Sequence, residues 1–382
     1  MSYFLTEDQR LIVNSVREFC QSPSVVKMVQ EEKAAHQFAI RSWQAAADQG
    51  YIAAYLPEEY GGMGYDLTTY FLIVEELARN GYPCCGAMAG HVLGLLPIEH
   101  WGTEEQKKAF LPKLGSGEAI ACGAVTDPSG LTNFSEWGLD EVETDKGWRI
   151  SGTKVVTTNA ANADYKIVFG RPSKGGKWFD HVYVIPKDTP GLETGDQEHK
   201  LVPDCSDWGT IVLKDVEVPR FNRIDCNGAG SDWLGPSFLF LALQAMVLGY
   251  TGFKIGFDYA TQRTRDGIPL IHTQKVAHNL ADMAIRNETG RCLIYTGTRL
   301  WDEGRRGECR RIASMAKAYV CESTNKSLHD AVIIHGGMGY TVPAIIGVLW
   351  TSSIQLELAE MPSDVHRDFV IESYGVKLDW KD

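Results

Sequence analysis

A glycine cluster near the C-terminus, His335-Gly336-Gly337-Met338-Gly339-Tyr340, is followed by Leu358-Ala359-Glu360-Met361-Pro362-Ser363-Asp364. Glu360 closes an apolar, helix-like run just before a proline that must break it. A carboxylate at a helix end among apolar neighbours has its charged form disfavoured, which raises its pKa toward the range of a general base. The competing reading is a solvated glutamate, the ordinary fate of this residue type near a helix end. The rest of the chain bears on that choice.

Such a base needs helices to hold it, and the sequence supplies them. Beyond residue 233 the pattern predicts helices over 237–264, 272–302 and 309–336, with a last one before Glu360. Residues 1 to about 120 also read as helical. Thr6-Glu7-Asp8-Gln9 is a capping box that opens a helix with Ile12, Val16 and Phe19 on one face. Thr103-Glu104-Glu105-Gln106 opens another, expected to close near Pro112. Between them, Leu56 to Gly64 is a glycine-rich loop, followed by a helix from Tyr70 to Arg79 that carries Glu75 and Glu76. From about 121 to 225 the pattern turns to short β-branched runs: 148–152, 166–169, 181–185 and 210–213. Helical, then β, then helical, without a flexible linker, predicts a mostly α chain with a central β-domain.

Composition narrows the function. The chain has 382 residues, 37 basic against 49 acidic, and a net charge of −12, which argues against nucleic acid or an anionic membrane as partner. Nine scattered cysteines show no CxxC and no ligand spacing with histidine, so reduced thiols in a cytoplasmic protein are expected, not a zinc site or disulfide scaffold. No signal peptide is visible at the N-terminus. The apolar run from Phe238 to Gly249 is expected to be too short and interrupted to span a bilayer, and reads as a buried core helix.

Several landmarks then fall in one order and spacing. They are Leu56-Pro57-Glu58-Glu59-Tyr60-Gly61-Gly62, Gly102-Thr103-Glu104-Glu105-Gln106-Lys107, Thr126-Asp127-Pro128, Gly152-Thr153-Lys154, Asp215-Val216-Glu217-Val218-Pro219 and Gly336-Gly337-Met338-Gly339-Tyr340. In this the chain resembles the acyl-CoA dehydrogenase family, from Leu5 to Arg367. The resemblance implies an N-terminal helical domain (1–120), a middle β-barrel-like domain (121–230) and a C-terminal four-helix bundle (231–382), usually assembled as a dimer of dimers. It implies FAD, with the flavin between the β-domain and the C-terminal helices. A base takes the α-proton of an acyl thioester while the β-hydrogen leaves as hydride to flavin N5.

Residue by residue, the resemblance places Val125 and Thr126 at the flavin pyrimidine, Thr158 near N5 and Val156 where an aromatic packs on the flavin. It places Thr132 at the pyrophosphate, Arg263 and Gln274 at the pyrophosphate of a neighbouring subunit, and Gly336 and Gly337 at the adenosine side. Counted from Gly339-Tyr340, Glu360 falls on the catalytic glutamate. Ser237, Phe240, His91 and Tyr340 fall on the substrate side. Structural alternatives stand beside these: Thr158 as an ordinary strand threonine, Arg263 in an ion pair near Arg265 and Asp266, the paired glycines as a tight turn, His91 as a buried structural histidine.

Departures are equally specific. The family's Glu-Gly-Thr reads Glu360-Met361-Pro362, its Gly-Ser-Asp reads Leu131-Thr132-Asn133, and its Arg-Asp pair before the catalytic segment reads Thr351-Ser352. An expected Phe is Asp266 and an expected Gln is Ile333. The segment that grips CoA through Asp and Arg reads Ser237-Phe238-Leu239-Phe240, and Ala359 stands where Tyr is common, which widens the space for bulky or cyclic acyl groups. The leading expectation is an FAD-dependent acyl-thioester dehydrogenase or reductase acting on an acyl-CoA or carrier-protein thioester, with electron-transfer flavoprotein as redox partner and a homotetramer or homodimer as assembly. Alternatives are one subunit of a hetero-oligomer, a same-fold flavin monooxygenase, or a catalytically silent paralogue.

Overall fold

The computed structural model describes residues 5–130, 138–171, 178–197, 200–202, 205–341 and 343–378. Contacts divide the chain into two compact units, Met1–Trp233 and Leu234–Asp382.

The first unit begins with helices α1 (Glu7–Gln21), α2 (Pro23–Ala35), α3 (Ile40–Asp48), α4 (Leu67–Arg79), α5 (Cys85–Trp101) and α6 (Glu104–Gly115). Both capping boxes form: Thr6 and Gln9 exchange side-chain-to-backbone bonds of 3.2 Å, and Thr103 and Gln106 do so at 3.2 and 2.8 Å. α4 opens three residues earlier than expected, because Asp66 accepts from the Thr69 amide at 2.7 Å and caps it. α6 runs through Pro112 to Gly115. Leu111 and Leu114, both fully buried, carry that last turn past a proline that costs the helix about 3 kcal/mol in isolation.

Among the described residues eight strands follow: β1 (Ala121–Ala124), β2 (Asp140–Thr144), β3 (Gly147–Thr158), β4 (Tyr165–Phe169), β5 (His181–Pro186), β6 (Leu192–Gln197), β7 (Trp208–Pro219) and β8 (Arg223–Asp225). They form two four-stranded sheets, ordered β1-β4-β5-β8 and β2-β3-β7-β6, in which the β1–β4 pair is parallel and the other described pairs are antiparallel. The expected middle β-domain is present, and no ladder among the described residues joins the edges of its two sheets, so they do not close into a barrel. α5 lies on β1, where a Cβ on Gly94 would sit 3.1 Å from the Cys122 carbonyl oxygen, a tight approach that favours glycine.

The second unit starts with α7 (Leu234–Gln262). A two-strand turn, β9 (Thr264–Arg265) and β10 (Ile268–Pro269), leads into α8 (Gln274–Asp302), α9 (Arg306–His335), α10 (Ile345–Leu358) and α11 (Ser363–Glu372). α7, α8, α9 and α10 make the expected bundle, and α11 packs on α9. Ala260, Leu280, Met283, Leu328, Ala331, Ile334 and Ile346 form its core. In the turn, Asp266 and Gly267 take φ of 52° and 80°, the paired left-handed residues a tight hairpin needs. One reading is corrected: α7 has 29 residues and by length and composition alone could cross a membrane. Its first half is buried almost continuously against the bundle, as a core helix is.

Candidate functional site

The second unit carries the carboxylate at the end of α10. Glu360 and Met361 both have left-handed backbone, φ 49° and 80°. Each costs roughly 1–2 kcal/mol for an L-residue, so neighbours must hold the turn in place. Lys317 does so from α9: its fully buried ammonium donates to the carbonyls of Glu357 at 2.6 Å and Met361 at 2.7 Å. His366 on α11 lies 3.1 Å through Nε2 from the Glu360 carbonyl, and since a carbonyl only accepts, Nε2 carries the proton. Burial, and then the Lys317 charge, push the His366 pKa down to about 3, so the ring is neutral.

Ser237, fully buried in the first turn of α7, donates its hydroxyl to Glu360 Oε2. Burial raises the Glu360 carboxyl to about 7, while the Ser237 hydrogen bond and the Lys317 charge pull it the other way. The result is a half-buried carboxylate poised near neutrality, with its backbone clamped and one oxygen held. Phe238, next in sequence to Ser237, packs edge-on against His366 with centroids 4.4 Å apart. Phe240, on α7, is 1% exposed.

Elsewhere in this unit, Arg263 and Gln274 are exposed. Asp266 pairs with Arg265 at 3.8 Å, so the ion pair suggested for Arg263 is made by its neighbour instead. Gly336 takes φ 60° and ψ −143°, open in practice only to glycine. Gly337 is different: a Cβ there would meet no atom within 4 Å, so packing within this unit does not require glycine. Tyr340, 94% exposed, ends the same turn.

In the first unit, Val125 and Thr126 follow β1 and are stitched to β3. Lys154 Nζ donates to the Val125 carbonyl at 2.9 Å, and the Val155 amide to the Thr126 carbonyl at 2.8 Å. The β3–β7 ladder slips between Lys154 and Thr157, and Val156, at φ 52°, is left 49% exposed at this bulge. Thr158 packs on α5 where Gly90 leaves room: a Cβ there would lie 2.9 Å from the threonine's methyl carbon. Thr132 lies outside the described residues. His91 is fully buried, with Nδ1 accepting from the Ala121 amide at 2.9 Å and Nε2 donating to the Leu114 carbonyl at 3.0 Å. Burial lowers its pKa to about 4. Its placement on the substrate side is thus corrected: both nitrogens are committed to the fold.

Three family models match the chain in order: the acyl-CoA dehydrogenase N-terminal domain over residues 6–118, the middle domain over 122–216 and the C-terminal domain over 239–375. The chain belongs to the acyl-CoA dehydrogenase family. Among its relatives, an acyl-CoA dehydrogenase of Bacillus subtilis is 27% identical over 97% of this chain and 98% of its own. Butyryl-CoA dehydrogenase from Megasphaera elsdenii is 25% identical with a TM-score of 0.88, covering 98% of this chain and 100% of its own. An acyl-CoA dehydrogenase from Bacillus anthracis, solved with FAD, is 25% identical with a TM-score of 0.85, covering 97% of this chain and 67% of its own.

FAD is the cofactor of this family, and the residues of this acyl-CoA dehydrogenase family member fit a flavin. Thr126 and Thr158 carry hydroxyls with no protein partner among the described residues, beside the outward Val156. The Thr157 hydroxyl is buried without a partner. Polar donors beside an exposed apolar side chain suit a flat heterocycle with a polar edge. The open space over Gly337 leaves room for a close approach from outside the unit. Sequence reading missed Lys317 altogether and gave Ser237 only a substrate contact. A lysine within the helical run of α9 carries no local signal of what it will meet 40 and 44 residues further on.

Proposed function

We propose that this chain is an FAD-dependent acyl-thioester dehydrogenase, acting on a CH–CH bond, in which Glu360 is the base. One observation carries the reading: a carboxyl pushed up to about 7 by burial, on a turn that three side chains hold in place. The thioester carbonyl acidifies the α-carbon, and Glu360 Oε accepts that proton. Bound FAD supplies the acceptor for the hydride that leaves the β-carbon. Val125, Thr126, Val156 and Thr158 would hold the flavin, Arg263 and Gln274 would reach the pyrophosphate of a neighbouring subunit's FAD, and Gly336 and Gly337 would lie on its adenosine side.

The apolar segment Ser237-Phe238-Leu239-Phe240 supports a thioester bound without a charged clamp at that point, whether on CoA or on a carrier protein. Redox exchange with electron-transfer flavoprotein is the partnership that the family resemblance supports. Ile333, Met338, Tyr340 and Ile345 are 58%, 58%, 94% and 56% exposed around the glycine turn, which supports assembly into a homodimer or homotetramer. The absence of any disulfide among the described residues supports a reducing, cytoplasmic setting.

The test is anaerobic titration of the flavin with a panel of acyl-CoA esters, from short straight chains to cyclic ones. Flavin bleaching by at least one ester is expected. Glu360→Gln is expected to bind that ester and lose about 10²–10⁴-fold in flavin reduction, the usual worth of a placed base. An unchanged rate in Glu360→Gln removes Glu360 as the base.

A further inference from the structure

We propose that Lys317 and Ser237 are positioning residues for the base, Lys317 fixing the turn that carries Glu360 and Ser237 fixing the carboxylate on it; this rests on the reading of Glu360 as base. Lys317 comes from α9, and its acceptors, Glu357 O and Met361 O, stand on either side of Glu360 in the chain. Glu357 O is one of the carbonyls left unbonded at the end of α10, so the ammonium caps that helix where a cation suits its dipole. Met361 sits where the family carries glycine, at φ 80°, and needs this hold more than a glycine would. Ser237 comes from α7, 123 residues away, and its hydroxyl reaches Oε2 alone. The base therefore has its backbone fixed from α9 and α11 and its side chain from α7, with Oε1 left for a substrate proton.

The charged and titratable groups around the turn are few. From α9 come Lys317 and, acting on it, Cys321 and Glu322, from α10 Glu357, and from α11 His366, whose burial keeps it neutral. Ser237 and Lys317 both favour the ionised form of Glu360, against a burial effect that disfavours it. Removing either therefore moves the ionisation of Glu360 to higher pH. A residue that only braced the fold would change the melting temperature and leave that ionisation where it is.

The experiment is the pH dependence of anaerobic single-turnover flavin reduction in the FAD-loaded enzyme, paired with an infrared titration of the Glu360 carboxyl, isolated by subtracting Glu360→Gln. Ser237→Ala is expected to move both the acid limb and the infrared transition up by about one pH unit, the worth of one hydrogen bond to a charged group. That leaves reduction about tenfold slower below the transition. The loss is expected in kcat, with KM little changed, and Ser237→Thr, which keeps a hydroxyl, is expected to restore both curves. Lys317→Met is expected to shift the infrared transition in the same direction. Superimposable infrared and rate profiles for wild type and Ser237→Ala overturn the proposal. An active Glu360→Gln overturns instead the base assignment, while the infrared transition still reports whether Ser237 and Lys317 hold the carboxyl.

Discussion

Lys154 and Lys317 are both fully buried, and each holds the chain at one of the candidate sites, yet they are compensated differently. Lys154 has a carboxylate of its own, with Asp127 Oδ1 at 2.5 Å, and spends one further bond on the Val125 carbonyl. Among the described residues Lys317 donates to two carbonyls, and the nearby carboxylate of Glu360 is bonded to Ser237 rather than to it. Lys166 follows the second pattern, donating to Ala160 O at 2.7 Å and Ala163 O at 2.6 Å. An ion pair neutralises both members and takes the acid out of any chemistry. A cation satisfied by peptide dipoles anchors a loop and leaves the acid beside it free to change its proton. The first arrangement suits a scaffold under a cofactor, and the second suits a base.

The largest effect that follows is in the scaffold. Lys154→Met strands the buried Asp127 charge, so unfolding in urea is expected to show a loss of about 3–5 kcal/mol, with Lys154→Met/Asp127→Asn recovering much of it. Lys317→Met strands carbonyls and no charge, and is expected to lose about 2–3 kcal/mol. If the Lys317 variant is the less stable of the two, the contrast between them fails.

The contrast also fixes a sign at Glu360. Its folded pKa, raised from the ordinary 4.5 of a glutamate to about 7, means that the native state binds a proton more tightly than the unfolded chain between those values. Stability is therefore lost as pH rises through that window, and the cost is complete above it. Glu360→Gln has no such cost. The variant is expected to match wild type at and below pH 4.5 and to exceed it by about 2–3 kcal/mol above pH 7. Urea unfolding at both pH values measures it, and a variant equally stable with wild type above pH 7 means that the carboxyl is solvated.

Much of this was legible in the sequence. The capping boxes at Thr6 and Thr103 are local signals, and the helices they predict are present. The expectation for Glu360 came from counting along a motif from the glycine turn, and the structure sets that residue on the turn just after α10. What holds Glu360 was not legible, since Ser237, Lys317 and His366 come from three helices and nothing local links them. The end of α6 was misjudged for a related reason: Pro112 is a local stop signal, but burial of Leu111 and Leu114 outweighs it. The same holds for His91, whose partners Leu114 and Ala121 lie 23 and 30 residues away.

The smallest predicted effect tests the glycine turn. Gly336 is bound to its residue type by its own backbone, whereas Gly337 has neither positive φ nor a crowding neighbour within its unit. Gly337→Ala is therefore expected to leave thermal stability unchanged or to raise it by up to about 1 kcal/mol, by restricting the unfolded chain. If something outside the unit, the adenosine end of FAD or a second subunit, lies against this backbone, the added methyl meets it there. The purified variant is then expected to retain less flavin per chain than wild type, or to shift toward smaller assemblies by light scattering, while melting no earlier once stripped of flavin. A Gly337→Ala protein with full flavin, wild-type mass and wild-type melting removes the turn from the binding surface. In that event Thr132, Arg263 and Gln274 remain the candidates for the phosphate end of the cofactor.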